Sequence, residues 1–136
     1  MPEPRSAYTG PVREHLATHQ AGVIATVGPG GTLHQSVVRY VLDGDDVLIS
    51  TEATRVKARH IEAGGRVSFC VMATEPPFAA VTLHGTGSVQ RTGIAEPTRR
   101  IMALMGRDGE VSDESLASRG RVILRISPGK VLTAWL

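Results

Sequence analysis

Turn signals recur along this chain at intervals too short for long helices. Gly28-Pro29-Gly30-Gly31, Asp43-Gly44-Asp45, Gly64-Gly65 and Glu75-Pro76-Pro77 cut it into brief segments. The segments between them are rich in Val, Ile, Leu and Thr, and several alternate apolar with polar residues, the pattern of strands bounded by turns. Strands are expected at Ala21 to Val27, Thr32 to Leu42, Asp46 to Ser50, Arg66 to Ala73, Ala79 to Arg91 and Arg121 to Ser127, with Lys130 to Leu136 also extended. Gly85 and Gly87 inside the fifth strand predict a bulge or sharp bend. A meander of this kind closes into a barrel because closure removes unpaired edges. The expected fold class is therefore mainly β, a six- to seven-stranded antiparallel barrel with a few short helices, forming one domain over residues 1–136.

Three segments change to helical period. Pro11 to Gln20 suits a short helix with proline in its first turn. Ala53 to Ala63 carries Val56, His60 and Ile61 at helical spacing and stops at Gly64-Gly65, with Ser50 or Thr51 as its expected N-cap. Ala95 to Met105 is the third, and the irregular stretch Gly106 to Gly120 holds at most one helical turn near Ser112. The residues up to Gly10 are expected to be loose.

With aromatics at 4%, the core must be built from aliphatic side chains. An apolar fraction of 41% against 21% charged residues describes a soluble globular chain. No apolar stretch is long enough to span a bilayer, Met1 to Pro4 lacks the apolar core of a secretory signal, and one cysteine, Cys70, permits no internal disulfide. A cytoplasmic location is expected. The formal charge of +2 suits an anionic ligand, and without Lys/Arg runs or interleaved aromatics nucleic-acid binding is not expected.

The segment with most chemical content runs from Ser50 to Ile61. Hydroxyls at a strand end lead into a helix start that carries Arg55, Lys57 and Arg59. Helix starts normally favour acids, because the dipole there is positive. Three cations within the first two turns oppose that preference, and a bound phosphate held by hydroxyls, amides and charges would explain them. Composition alone leaves a solvated basic helix face as an equal alternative.

These segments carry a resemblance. Gly22 to Gly31, Thr51 to Ile61 and Val81 to Gly87, in this order and spacing, resemble the split β-barrels related to pyridoxamine-phosphate oxidase. Within them the chain is most similar to the flavin/deazaflavin oxidoreductases that use coenzyme F-420 (the B group). The resemblance runs from about Ala21 to Ser88 and more weakly through the last strand. It implies that Arg55 and Lys57 hold a cofactor phosphate, that Ser50 and Thr51 add hydrogen bonds, and that the segment Gln35, Ser36, Val37, Val38, Arg39 lines the ring system. It also implies a homodimer whose partner completes each cofactor site. Arg59 and His60 are candidates to meet the acidic tail of the deazaflavin.

The implied function is an oxidoreductase in which coenzyme F-420 delivers a hydride to a small conjugated acceptor. FMN is the alternative cofactor, and a non-catalytic flavin, heme or other planar-ligand binder of the same fold is the alternative function. The tail from Val131 to Leu136 lacks the Arg and His residues that pyridoxamine-phosphate oxidase itself uses, which argues against vitamin B6 oxidation. No catalytic residue is identified, as expected when a cofactor carries the chemistry. His15 and His19 are four apart on a helix but have no third ligand, so no metal site is expected. His34 and His84 read as strand residues, Cys70 as buried packing, and Trp135 as a plug for the barrel.

Overall fold

A computed structural model describes residues 7–136. The chain forms, in order, α1 (Gly10–Thr18), β1 (Ala21–Val27), a 3-10 turn (Pro29–Gly31), β2 (Leu33–Arg39), β3 (Val41–Asp43), β4 (Asp46–Glu52), α2 (Val56–Ala63), β5 (Arg66–Met72), β6 (Ala80–Gln90), α3 (Ala95–Leu104), α4 (Asp113–Ser118) and β7 (Arg121–Ala134). The strands make one antiparallel sheet of seven in the order β2-β1-β5-β6-β7-β4-β3. It curls into a half-barrel, and β2 and β4 approach each other across the open seam without pairing.

Alternation along the strands fills the interior. Ile24, Phe69, Leu83, Leu124 and Ile126 are fully enclosed, with Val47, Ile49, Val71 and Val81 beside them. α1 closes one end through Val12 and Leu16, and α2 contributes Ala58 and Ile61. A second apolar cluster lies on the outer side of β4 and β7, where Leu48 and Ile123 meet Ile94 and Ile101 of the α3 segment and Leu116 of α4. The helices α3 and α4 thus cover the back of β4, and this covering shapes the cavity described below.

Several elements depart from the sequence expectations for identifiable reasons. The expected strand Thr32 to Leu42 breaks at Tyr40. Its amide donates to Gln20 and its buried hydroxyl to the Leu16 carbonyl, so it leaves the ladder. β7 runs unbroken past Pro128-Gly129, because a register shift at His84/Gly85 in β6 absorbs the irregularity. Gly85 is required there, since a Cβ at that position would lie 2.1 Å from the Ser127 carbonyl oxygen. α2 starts at Val56 and has Arg55 at its N-cap position, because Ser50 and Thr51 stay in β4, paired with Ile123 and Val122.

Residues 106–120 hold a complete helix, α4, whose start is closed by reciprocal bonds between Ser112 and Ser115. Asp113 then accepts the backbone amides of Gly93, Ile94 and Ala95, tying α4 to the start of α3. Those amides, Ala95 first, hold the Asp113 carboxyl below its ordinary pKa. The expected loose N-terminal stretch lies partly outside the described residues. Within them, Tyr8 is buried and its hydroxyl donates to the Asp45 carbonyl, so the chain is tied down there. Cys70 faces the outer side of β5 and is only half-buried, and Trp135 is 75% exposed, so it does not plug the barrel. Among the described residues, no helix is long and apolar enough to cross a membrane.

Candidate functional site: a basic cavity at the barrel seam

The barrel seam, where β2 and β4 approach without pairing, opens into a cavity of about 620 Å³. That is an ordinary size for a cofactor or ligand site. Val37, Val38 and Arg39 of β2 line one part, and Ser50, Thr51 and Glu52 of β4 another. Arg55 and Lys57 come from the start of α2. Ile101, Met102 and Met105 of the α3 segment form an apolar wall with Val111 and Leu116, and Arg107, Arg119 and Arg121 complete the lining.

Seven of the residues singled out from the sequence therefore meet at one place: Val37, Val38, Arg39, Ser50, Thr51, Arg55 and Lys57. Four do not line this cavity. Gln35 points to the exposed face of β2, and Ser36 faces inward with a buried hydroxyl that has no hydrogen-bond partner among the described residues. Arg59 lines a smaller cleft beside Ala63 and Arg91. His60 lies across α2 against the first hairpin, with Nδ1 3.0 Å from the Thr26 hydroxyl and its ring 6.4 Å from that of His34. Gly28 must be glycine to admit this ring, since a Cβ there would fall 2.4 Å from Nε2.

The electrostatics are one-sided. Among the described residues, six cations line the cavity and Glu52 is its one carboxylate. Glu52 already lies 3.8 Å from Arg121, to which it is also joined in strand register. Arg39, Arg55, Lys57, Arg107 and Arg119 make no side-chain hydrogen bond or ion pair among the described residues. Burial lowers the Lys57 pKa below the lysine norm, and the neighbouring charges of Arg55 and Arg121 lower it further. A cation so placed is short of an anion. Arg121 also donates to the Ser50 hydroxyl oxygen at 2.8 Å. With that oxygen accepting from Arg121, the Ser50 hydroxyl keeps its own hydrogen to donate.

A phosphorylated group fits this donor set: two unpaired cations, the Ser50 hydroxyl and α2 amides with no side-chain cap stand together. The sequence reading missed Arg107, Arg119, Arg121 and the methionine wall. Arg121 reaches Ser50 across 71 residues of sequence through the β4–β7 pairing, and no local pattern signals that.

The lowered Lys57 pKa has a measurable consequence. Anion binding favours charged Lys57, so affinity should be full below its pKa and fall as pH rises through it. That fall should begin at lower pH than for an ordinary lysine, and Lys57→Arg should abolish it. A calorimetric pH series of phosphate-ligand binding checks this. An affinity flat to the ordinary lysine range in the unsubstituted protein would mean that Lys57 does not bind the anion.

Comparison with known proteins adds the wider context. The family profile described as pyridoxamine 5'-phosphate oxidase matches residues 9–134. The chain belongs to this family. Among solved structures, a candidate pyridoxamine 5'-phosphate oxidase from Listeria innocua is 19% identical, with a TM-score of 0.74 over 90% of this chain and 94% of that one. An F-420 reductase is 20% identical, with a TM-score of 0.72 over 88% and 94%. The heme storage protein from Vibrio cholerae is 18% identical, with a TM-score of 0.67 over 90% and 91%. At such identities the likenesses establish the split-barrel fold and leave the ligand to the site. No curated protein matches the chain.

Proposed function

We propose that this family member is an oxidoreductase that uses a phosphorylated deazaflavin, coenzyme F-420, to transfer a hydride to a small conjugated acceptor, with FMN as the alternative cofactor. The observation that carries the proposal is the unpaired Arg55–Lys57 couple in a cavity that also has an apolar wall. When bound, the cofactor supplies the two-electron chemistry. Arg55 and Lys57 hold its phosphate, aided by Ser50. Arg39 and the β2 edge at Val37 and Val38 stand where a ring system would lie against the seam, and Met102 and Met105 provide a soft apolar surface that limits water. Among the described residues no histidine lines the cavity, so these residues offer no imidazole to a heme iron. This favours the deazaflavin over the heme reading.

The outer sheet face supports a homodimer. Val37, Val23, Cys70, Thr82 and Leu132 are directly paired in a row across five strands, and none is charged. Val37 is 76% exposed, and Val23, Leu132 and nearby Met72 are also exposed. An apolar strip of this kind marks an interaction surface, and through Val37 it adjoins the cavity. Val23→Asp combined with Leu132→Asp should convert a dimer to monomer in analytical ultracentrifugation and weaken cofactor binding. A variant that sediments like the parent would remove this face as the interface.

Turnover tests the enzymatic part. Reduced deazaflavin mixed with the protein and a panel of quinone and enone acceptors should be oxidised faster than without protein. Saturable binding with no turnover across the panel would instead make the chain a cofactor-binding protein.

A further inference from the structure

We infer that Arg121 is a positioning residue: it engages the Ser50 oxygen as an acceptor, so that the Ser50 hydroxyl serves the ligand phosphate as a donor. The inference rests on the proposed placement of the phosphate at Arg55 and Lys57. It adds a residue from a distant part of the chain that acts on that site through Ser50.

The backbone sets where this arginine stands. Arg121 opens β7 directly opposite Glu52 of β4, with Val122 opposite Thr51, and on its other side the Ala53 amide donates to the Gly120 carbonyl at 2.8 Å. Strand pairing therefore flanks Arg121 on both sides. Ser50 and Glu52 lie two positions apart in β4 and so share one face of the sheet. The guanidinium reaches both with different nitrogens. Nη2 donates to the Ser50 oxygen at 2.8 Å, and Nη1 lies 3.8 Å from Glu52. A planar fork held at two points keeps its orientation. In this Arg121 differs from Arg55 and Lys57, which have no side-chain partner among the described residues.

The chemistry of the two groups fixes the direction of the bond. A guanidinium only donates, whereas a serine hydroxyl has one hydrogen to donate and lone pairs to accept with. The bond runs from Arg121 to Ser50, and the Ser50 hydrogen is not used in it. Among the described residues that hydrogen has no acceptor. Ser50 lines the cavity together with Arg55 and Lys57, and these two, being donors, cannot supply one. A phosphate oxygen can. A cation on the hydroxyl oxygen also polarises the O–H group and strengthens the bond it donates.

The test is isothermal titration of the full chain and of Ser50→Ala, Arg121→Met, the two combined, and Arg121→Lys. The probes are a deazaflavin 5'-phosphate and the same deazaflavin without its phosphate, with FMN and riboflavin as the matching flavin pair. Within each pair the ratio of affinities isolates the phosphate. Ser50→Ala and Arg121→Met should each lower that ratio about tenfold, the scale of one hydrogen bond to a charged group. The combined variant should lose clearly less than the product of the two losses, because both changes remove one bond. Arg121→Lys keeps the charge without the fork and should restore the ratio only in part. Unchanged circular dichroism should show that each variant is folded.

A ratio that Arg121→Met leaves unchanged overturns the inference. Losses that multiply in the combined variant also overturn it, since Arg121 would then hold the phosphate independently of Ser50. Full restoration by lysine would reduce its role to charge, and equal losses for phosphorylated and phosphate-free probes would make it structural; either result withdraws the positioning role. Failure of the phosphate reading would look different: the unsubstituted protein would bind both members of each pair alike, or neither.

Discussion

Replacing Arg55 and Lys57 together by Gln should lower the affinity for a phosphorylated deazaflavin by about two to three orders of magnitude, since each hydrogen bond to a charged group contributes about 1.5–3 kcal/mol and the site is only partly shielded from water. Lys57→Ala alone should cost about 1–3 kcal/mol of binding. The fold should tolerate both changes. Neither side chain has a partner to lose, and Arg55 already disfavours the charge on Lys57. Removing two like charges should leave the melting temperature unchanged or slightly higher. Titration calorimetry and thermal melts of the same samples separate the outcomes. A melting temperature that drops with the affinity would make the pair structural and would withdraw it from the cofactor site.

Phe69→Ala should destabilise the protein by roughly 3–5 kcal/mol, which at about 4 °C per kcal/mol lowers the melting temperature by about 10–20 °C. Phe69 is fully enclosed at the middle of β5, its ring meets Tyr40 edge-on at 5.2 Å, and it fills the space that a Cβ on Gly22 would otherwise contest. In a core with so few aromatics no neighbour is large enough to fill the void. The effect should extend to the site. Tyr40 separates β2 from β3 next to Arg39, so loosening it should also blur the seam and weaken cofactor binding. Chemical denaturation of the variant checks the first claim. A loss under about 1 kcal/mol would mean that the core repacks freely, contrary to the close packing argued here.

The two predictions draw on different parts of what the sequence makes legible. The strand positions, the bulge at Gly85 and the grouping of Ser50, Thr51, Arg55 and Lys57 could be read because they depend on local period and on glycine and charge placement. The break at Tyr40 could not, because it follows from hydrogen bonds to Gln20 and Leu16 on another element. The start of α2 shifted because β7 extends the β4 ladder to Glu52, a pairing that outweighs the capping tendency of Ser and Thr. Cys70 and Trp135 read as interior residues from their apolar surroundings, whereas the half-barrel has an outer face that is itself apolar. His60 and Arg59 share a helix with Lys57 but leave it on other sides, so spacing along the helix did not place them away from the seam cavity. The α4 wall was the least legible feature, because its role depends on Asp113 anchoring α3 from a distance of about twenty residues in sequence.

The central claim is that the seam cavity holds a phosphorylated deazaflavin. The most direct test is calorimetric titration of the purified chain with coenzyme F-420, FMN and heme in parallel, because an exposed Trp135 makes a poor fluorescence reporter. Saturable micromolar or tighter binding of F-420, one per protomer and lost in Arg55→Gln/Lys57→Gln, is the predicted result. Binding of heme alone, or F-420 binding that the double variant retains at full strength, would contradict it.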